Sequence, residues 1–358
     1  MPAPIGPLPN GRGAATNRSG RYEREAREAF DDGWGVEDEA PPKLTTTVTR
    51  ETARTIISRN TSPDIGFDRT INTYRGCEHG CIYCYARPNH AYAGLSPGLD
   101  FESRLFAKFN AAERLEVELS AKNYRPAVMV LGGVTDVYQP IERTRRITRA
   151  VLEVLSRYNH PVAMITKSAL VTRDIDILAP MAAKGLAKVA ISITTLDRTL
   201  ARRMEPRAAT PQRRLDAVRA LADAGIPVAV MTAPLIPSLN DAELEVILEA
   251  SAAAGATEAG YVVLRLPLEI KDLFREWLAE AYPDRAQRVM KLVRDMRGGR
   301  DYDPEWRARQ RGTGVYARLI ADRFRKACAR LGLNRRKLDL DAGQFRTPAR
   351  AGDQLDLL

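Results

Sequence analysis

The sequence predicts an α/β fold in which a parallel sheet, closed into a barrel or left open, forms the main domain. Short apolar runs alternate with amphipathic stretches from about residue 68 to residue 266. The runs are β-branched and almost wholly apolar, which is typical of strands buried on both faces. Strands that alternate with helices favour parallel pairing, and such folds gather ligands at the carboxyl ends of the strands.

Six runs are the predicted strands, and none approaches the length of a membrane-spanning segment. In chain order they are "TINTYRG" (70–76), "AVMVLG" (127–132), "PVAMIT" (161–166), "KVAISI" (188–193), "PVAVMTA" (227–233) and "YVVLRL" (261–266).

Two of the intervening helices have clear end signals. Thr210 is a predicted N-cap, followed by Pro211 at the first helical position, and Gly225 marks the end of the helix. A hydroxyl accepts a hydrogen bond from an unpaired N–H, proline fits the first turn, and glycine readily ends a helix. Asn240 and Glu243 have the spacing of a capping box at the start of the next helix.

Composition divides the chain into four parts. Residues 1–50 are rich in Gly, Pro and charge, so we expect a mostly extended or disordered arm with a short helix near "RYEREAREAF". Residues 51–267 form the α/β core, residues 268–340 a basic helical extension, and residues 341–358 a tail.

The extension has an unusual charge balance. Between Arg285 and Lys337 there are 17 Lys or Arg against 5 Asp or Glu, a surplus larger than the net charge of +10 for the whole chain. This surplus is consistent with a nucleic-acid partner and equally with a solvated helix surface.

Cysteine use and hydropathy indicate the compartment. The chain has four cysteines, three of them clustered, which excludes a disulfide framework. The amino terminus lacks the apolar run of a signal peptide, so we expect a soluble cytoplasmic protein with no membrane partner.

The stretch "CEHGCIYC" has the spacing Cys77-x3-Cys81-x2-Cys84. Gly76 and Gly80 give the backbone the freedom to curl, so that the three thiols can meet at one metal centre. Three cysteine ligands favour a [4Fe–4S] cluster whose fourth iron is open to a substrate or cofactor.

Two alternatives remain for the same stretch. One is a structural zinc site with His79 or His90 as the fourth ligand, and the other is a chance cluster of buried thiols.

The spacing, with Tyr83 before the last cysteine, resembles the signature of the radical S-adenosylmethionine (SAM) superfamily. The stretches "YRGCEHGCIYCYAR", "TDVYQPIE", "ITKSALVTRDIDIL" and "APLIPSLND" narrow the resemblance to the bacterial branch related to spore photoproduct lyase, over about residues 55–358. The resemblance implies a partial (β/α)6 barrel, a [4Fe–4S] cluster, and a reductant such as flavodoxin or ferredoxin. SAM would bind the open iron and be cleaved to a 5′-deoxyadenosyl radical that abstracts a hydrogen from the substrate.

By the same resemblance, polar residues after the predicted strands would hold the ribose and carboxylate of SAM, and Tyr83 would form a wall of its pocket. Lys167 and Arg207 suit the carboxylate. The alternative for each residue is a loop side chain that satisfies nearby backbone. The full set is Thr135, Asp136, Lys167, Ser168, Ser192, Thr194 and Arg207.

Three positions depart from the branch. Val137 and Thr73 stand where proline is usual, which alters loop stiffness and not ligand chemistry. Spore photoproduct lyase returns a hydrogen to its product through an additional cysteine, and the only spare thiol here is Cys328. No motif aligns Cys328 with that role, and a buried small hydrophobe is the favoured reading.

The tail "QLDLL", Gln354–Leu358, resembles the peptide by which bacterial proteins dock into the DNA sliding clamp.

Three functional hypotheses follow from the sequence as a whole. The first is a radical SAM enzyme that acts on nucleic acid in DNA repair. The second is a radical SAM enzyme that modifies RNA, a protein or a small molecule. The third is a non-catalytic metal-binding nucleic-acid module.

Overall fold

The computed structural model describes residues 12–23, 44–336 and 338–348. Ten strands lie in these ranges, seven in one large sheet and three in a small one. They are β1 (Thr47–Glu51), β2 (Ile57–Arg59), β3 (Arg69–Ile71), β4 (Tyr74–Arg75), β5 (Arg104–Lys108), β6 (Met129–Leu131), β7 (Val162–Thr166), β8 (Ala187–Ser192), β9 (Val228–Leu235) and β10 (Glu258–Val263).

The large sheet has the strand order β10-β9-β8-β7-β6-β3-β2. Every neighbouring pair from β3 to β10 is parallel, and β2 is an antiparallel partner of β3 at one edge. The six predicted strands are therefore confirmed as β3 and β6 to β10. Within the described ranges the edge strands β2 and β10 do not pair with each other, so the (β/α)6 barrel is partial and has a lateral gap.

Helices connect the parallel strands and continue beyond the last one. They are α1 (Leu99–Ser103), α2 (Ala111–Leu119), α3 (Glu142–Arg145), α4 (Ile147–Arg157), α5 (Ile175–Ala183), α6 (Arg198–Met204), α7 (Pro211–Asp223), α8 (Leu244–Ala253), α9 (Ile270–Ala281), α10 (Pro283–Asp295), α11 (Ala308–Arg311) and α12 (Gly314–Leu331). Short 3-10 helices span Arg87–Ala93, Ala169–Asp174, Asp241–Glu243 and Ala342–Gln344.

The end signals of α7 are confirmed. The Thr210 side chain accepts a hydrogen bond from the Arg213 N–H, and Pro211 opens the helix. Gly225 follows with a φ of 75°, a left-handed conformation that glycine adopts without a steric penalty.

The predicted capping box before α8 is wrong. The Asn240 amide instead accepts from Ile236 N–H at 2.6 Å and donates to the Thr194 and Pro234 carbonyls at 2.8 and 2.9 Å. Glu243 accepts from Leu196 N–H at 2.7 Å. Both side chains therefore tie barrel loops together, and these tertiary hydrogen bonds replace the local cap that their spacing predicted.

Apolar side chains form two adjoining cores. The larger core lies between the parallel strands and their helices and includes Ile191 and Val230. The second core joins α9 to the cysteine stretch, where Trp277 and Ile82 are buried with Met204. Burial of a large aromatic side chain there stabilises the contact between the extension and the cysteine loop.

The basic extension is helical, as predicted, and it packs against the barrel. The rings of Phe324 in α12 and Tyr261 in β10 have centroids 4.8 Å apart. Arg309 of α11 reaches the loop after β2, donates to Ser62 at 2.8 Å and pairs with Asp64. The extension thus bridges the lateral gap between the two edge strands.

The small sheet, β1-β5-β4, was not predicted from the sequence. The helix expected near "RYEREAREAF" lies largely outside the described residues, as does the clamp-like peptide Gln354–Leu358. In the part of the chain that the structure describes, no helix is both long enough and apolar enough to cross a bilayer.

Candidate cluster and cofactor site

The cysteine stretch is a curled loop that follows β4. Gly76 and Gly80 have φ values of 74° and 67°, so the backbone turns where side-chain-bearing residues would be strained. A Cβ at Gly80 would also lie 2.7 Å from a Glu102 carboxylate oxygen. Backbone turns close the loop, with Gly80 N–H donating to the Cys77 carbonyl at 3.3 Å and Cys84 N–H to the Cys81 carbonyl at 3.2 Å.

The loop brings the three thiols into one environment. Cys77 and Cys81 are buried and Cys84 is partly buried. Burial raises the pKa of Cys77, and the negative charges of Asp136, Cys81 and Cys84 add to the effect. Burial likewise raises the pKa of Cys81 to about 12. Thiols of this kind are poor nucleophiles, so the burial of Cys77 and Cys81 argues against a redox-active thiol pair.

Arg87 fixes the shape of the loop from inside. Its guanidinium donates to the Gly80 and Cys81 carbonyls at 3.0 and 2.9 Å and forms an ion pair with Glu102. The side chains of Arg87 and Glu102 are both fully buried. A buried pair of this kind is costly to break because either partner alone would be an uncompensated charge.

The amino-terminal segment completes this network. The Glu102 carboxylate accepts from the Gly13 and Ala14 N–H groups, each at 2.9 Å. Arg12 donates to the Glu102 carbonyl at 2.7 Å and to the Leu44 carbonyl at 2.8 Å. Residues 12–14 therefore pack directly on the cysteine loop.

The two histidines proposed as a fourth zinc ligand have other partners. His90 Nε2 lies 2.9 Å from the Arg104 carbonyl, and its ring packs edge-on against Phe101. His79 Nδ1 lies 3.3 Å from Asp136 Oδ2 without hydrogen-bond geometry. Among the described residues, no group of three His, Cys, Asp or Glu side chains is placed to hold a metal ion, and this includes the three cysteines of the loop. The observation that weighs against the zinc alternative is therefore that His90 and His79 already contact other groups.

Tyr83 belongs to a buried polar network at the carboxyl end of β8. Its hydroxyl donates to Glu205, which also accepts from Thr194 Oγ1 at 2.6 Å and pairs with Arg214. Burial alone would raise the pKa of Glu205, but the Arg214 and Lys167 charges and the hydrogen bonds lower it to about 2. Glu205 is therefore ionised at neutral pH and anchors Tyr83 beside the cysteines.

Several predicted cofactor residues form local hydrogen bonds. Thr135 Oγ1 donates to the Gly76 carbonyl at 2.8 Å, which ties the end of β6 to the cysteine loop. Asp136 accepts from Thr166 Oγ1 at 2.7 Å and Lys167 N–H at 2.8 Å. Ser168 accepts from an N–H of the following 3-10 helix.

Ser192 and Thr194 both donate to the Ala233 carbonyl of β9, each at 3.3 Å. These contacts agree with the backbone-satisfying alternative and leave cofactor binding by the same residues as a prediction.

Lys167 and Arg207, the two predicted carboxylate ligands, differ in their pairing. The Lys167 ammonium lies 5.7 Å from the centre of the Tyr83 ring, and no carboxylate among the described residues forms an ion pair with it. Arg207 Nη2 lies 3.0 Å from Glu78 Oε1, and its side chain is 36% exposed. Lys167 thus has no ion-paired carboxylate among the described residues, although its charge acts on Glu205 and Cys81.

Comparisons with known proteins identify this arrangement. A family model described as the Radical SAM superfamily matches residues 71–250, which is half of the chain and contains the cysteine loop. The chain belongs to the radical SAM superfamily. This radical SAM enzyme is 36% identical over 230 residues to uncharacterised proteins of Mycobacterium bovis and Mycobacterium tuberculosis. Each of these alignments covers 64% of this chain and 68% of the relative. An uncharacterised Methanocaldococcus jannaschii protein is 27% identical over 223 residues, 61% of this chain and 78% of that one.

Solved structures show a shared fold. Spore photoproduct lyase in complex with a dinucleoside spore photoproduct matches with a TM-score of 0.58 at 14% identity, over 80% of each chain. A single-site mutant of the same lyase matches with a TM-score of 0.56 at 14% identity, over 86% of this chain and 88% of that one. These matches confirm the fold that the resemblance implied.

Radical SAM enzymes use a [4Fe–4S] cluster and SAM, and this site fits both. The three cysteines lie on one curled loop, the charges of Cys81 and Cys84 act on Cys77, and the Lys167 ammonium lies 5.7 Å from the centre of the Tyr83 ring, next to Cys84 in the chain.

Sequence reasoning missed five residues of the site: Arg12, Arg87, Glu102, Glu205 and Arg214. The stretch "MEPR" contains Glu205, but the family resemblance indicated only Arg207 in it as a site residue. The others have no local pattern, because their partners are distant in sequence.

Proposed function

We propose that Cys77, Cys81 and Cys84 bind the [4Fe–4S] cluster and that Lys167 receives the carboxylate of SAM. The shared burial of the thiols supports the first assignment, and the ammonium of Lys167, which has no ion-paired carboxylate among the described residues, supports the second. When both cofactors are bound, reductive cleavage of SAM supplies a 5′-deoxyadenosyl radical that removes a hydrogen from the substrate.

The chain's own residues would position these groups and exclude water. Arg87 holds the carbonyls of the cysteine loop, so the three sulfurs keep one relative orientation. Glu205 and Arg214 fix the Tyr83 ring as a wall of the SAM pocket. Thr135 would orient the start of the loop through the Gly76 carbonyl. Further residues would hold the ribose and carboxylate of SAM in addition to shaping the loops: Asp136, Ser168, Ser192, Thr194 and Arg207.

We further propose that the substrate is a nucleic acid and that the reaction belongs to DNA repair. The supporting observation is the positive charge around Tyr85, the residue after the last cysteine. Arg265 lies over its half-exposed ring, and the Arg309 charge also acts on it, although Arg309 is paired with Asp64 and stacks on the half-exposed Trp306. Cationic grooves with exposed aromatic rings suit a phosphate backbone and stacked bases. Spore photoproduct lyase, which shares the fold, has been solved with a dinucleoside photoproduct.

The extension contributes further positive charge. Several of its cations are paired with acidic residues, for example Arg323 with Glu245 and Arg330 with Glu249. Others have exposed side chains and no ion pair among the described residues: Arg285, Arg288, Arg311, Arg318, Lys326, Arg335 and Arg336. The surplus is thus only partly neutralised by the barrel surface.

Cys328 is a poor candidate for returning a hydrogen to the product. It is 5% exposed in α12, and its sulfur lies 3.8 Å from Asn334 Nδ2. Asn334 bonds to Thr257 and Ala259 at the amino end of β10, whereas the cysteine loop meets the carboxyl ends of the strands. We therefore propose that a different donor quenches the product radical.

The test is anaerobic turnover of the reduced, reconstituted enzyme with lesion-bearing DNA and, separately, with RNA pools. Transfer of deuterium from a labelled nucleic acid into 5′-deoxyadenosine is the expected result for DNA. Transfer from RNA alone would support the RNA-modifying alternative. If neither pool transfers label while SAM is still cleaved, the nucleic-acid proposal is wrong and a protein or small-molecule substrate is favoured.

A further inference from the structure

Arg265 lies just beyond the carboxyl end of β10, over the residue that follows the last cysteine. Its guanidinium carbon is 5.0 Å from the centre of the Tyr85 ring, and Tyr85 is 47% exposed. Arg265 Nε is buried without a hydrogen-bond partner. No carboxylate in the described ranges forms an ion pair with this guanidinium. An unsatisfied cationic donor at the mouth of an active site is costly unless an anion meets it during function.

A second guanidinium increases the local positive charge. Arg297 is 1% exposed and donates to the Leu264 carbonyl at 2.9 Å and to the Ala308 carbonyl, while its Nε has no partner. Burial and then the charge of Arg265 lower the pKa of Arg297 to about 10. Its hydrogen bonds are to neutral carbonyls, so neither arginine has a bonded counter-charge.

The nearby acidic groups are already engaged. Asp64 accepts from the Arg307 N–H at 2.5 Å and pairs with Arg309. Arg309 also stacks on Trp306, with its guanidinium carbon 3.9 Å from the ring centre. Asp64 is bonded to Arg309, and Asp303, whose charge acts on Arg297, forms its ion pair with Arg300. Neither carboxylate therefore bonds to Arg265 or Arg297, which lie near the half-exposed ring of Tyr85.

We propose that Arg265, with Arg297 behind it, binds a phosphate group of the substrate at the mouth of the barrel. A guanidinium suits a phosphate because its planar donors reach two oxygens at once, and a base can stack on Tyr85 or Trp306 at the same time. The identity of the phosphate as part of a nucleic-acid strand rests on the proposed function. A free nucleotide offers the same chemistry and is the other source.

The position relative to the cysteine loop gives this site a function. Tyr85 is adjacent to Cys84, and its hydroxyl donates to the Gly133 carbonyl after β6. A phosphate on Arg265 would therefore lie beside Tyr85, and the adjoining sugar and base would extend toward the cysteine loop, where the proposed function places hydrogen removal.

The test compares Arg265→Gln, Arg265→Lys and a control, Arg219→Gln, in the full-length, anaerobically reconstituted enzyme with SAM. Arg219 is exposed on α7, outside the basic extension, and has no ion pair among the described residues. The probes are a fluorescent ten-nucleotide oligothymidylate, its neutral methylphosphonate analogue, and inorganic pyrophosphate as competitor. Fluorescence anisotropy at several salt concentrations gives Kd and its salt dependence.

We expect Arg265→Gln to weaken oligothymidylate binding about tenfold, because charged hydrogen bonds to one phosphate are lost. The slope of log Kd against log salt should fall by about 0.7, as for one phosphate contact to a single strand. Arg265→Lys should recover part of the affinity, and neither variant should alter binding of the methylphosphonate analogue. The control should change neither the affinity nor the slope.

The outcomes separate the two proposals. Three outcomes would each overturn the phosphate site: normal oligothymidylate binding by Arg265→Gln, equal losses of affinity for the charged and neutral strands, or a loss of SAM binding. Normal oligothymidylate binding by this variant would leave the nucleic-acid proposal standing. If the wild type binds pyrophosphate in an Arg265-dependent way but does not bind the strand, the phosphate site is supported and the nucleic-acid substrate is wrong. An unchanged far-ultraviolet circular dichroism spectrum and unchanged cluster absorbance show that the variant is folded.

Discussion

The buried pair of Glu205 and Arg214 should make a large contribution to stability, and Glu205→Gln tests it. The two side chains are 0% and 2% exposed, and the carboxylate accepts from Tyr83, Thr194 and Arg214. The substitution keeps the shape of residue 205 but removes its charge. The Arg214 guanidinium would then remain buried without a counter-charge.

Two routes give a similar magnitude. The pKa of Glu205 falls from 4.5 to about 2 on folding, and this difference corresponds to about 3 kcal/mol of stability at neutral pH. Removing one partner of a buried ion pair costs about 3–5 kcal/mol in other proteins. We therefore expect Glu205→Gln to lower the free energy of unfolding by about 3–5 kcal/mol at pH 7.

The assay is urea unfolding of the full-length apoprotein, followed by tryptophan fluorescence. Trp277 is a suitable reporter because it is buried and its indole N–H donates to the Arg203 carbonyl, two residues before Glu205. Glu245→Gln is the matched control. The Glu245–Arg323 pair is 32% and 26% exposed, so this substitution should cost less than about 1 kcal/mol.

The pH dependence of the stability difference between the wild type and Glu205→Gln can refute this reasoning. Because the folded pKa is lowered, the stabilisation by Glu205 is fully present above pH 4.5 and is lost as the pH falls toward 2. The gap between wild type and variant should stay constant from pH 7 to about pH 5 and narrow below it. A loss under about 1 kcal/mol at pH 7, or a gap that does not narrow on acidification, would show that the pair does not stabilise the fold in this way.

Three further predictions concern the cofactor site. Cys81→Ala should abolish both the brown absorbance of the reconstituted protein and 5′-deoxyadenosine formation, whereas Cys328→Ala should retain both. Activity of Cys81→Ala, or loss of activity in Cys328→Ala, would contradict the assignments. Glu102→Ala should destabilise the apoprotein by about 3–5 kcal/mol, because Arg87 loses its buried partner, and an unchanged urea midpoint would argue against this network. Lys167→Met should raise the Kd for SAM about tenfold in equilibrium dialysis, because one charge-assisted contact is removed, while the cluster absorbance stays intact. Unaltered SAM affinity would exclude Lys167 as a ligand.

The sequence predicted the barrel strands because their burial determines their composition. Strands such as β8, buried along most of their length, need short apolar runs, and those runs are visible without any partner. The small sheet was missed for the opposite reason. β1 is mostly exposed and β4 has two residues, so neither has a periodic pattern.

The residues of the candidate site likewise differ in whether a local sequence pattern identifies them. The cysteine loop could be predicted because three cysteines within eight residues form a pattern that is visible in the sequence without any partner. Glu102 could not be predicted, because it acts on Gly13, 89 residues away, and a single carboxylate has no local signature. Asn240 and Glu243 show a local rule overridden by tertiary hydrogen bonds.

The contact between residues 12–14 and Glu102 bears on where this enzyme can be cut or tagged. The family match begins at residue 71, so an expression fragment drawn to that boundary would omit Arg12 and Gly13. The Glu102 carboxylate would then lose two N–H donors at a fully buried position. A fragment that looks complete by sequence similarity would thus lack the segment that closes the Glu102–Arg87 network behind the cysteine loop.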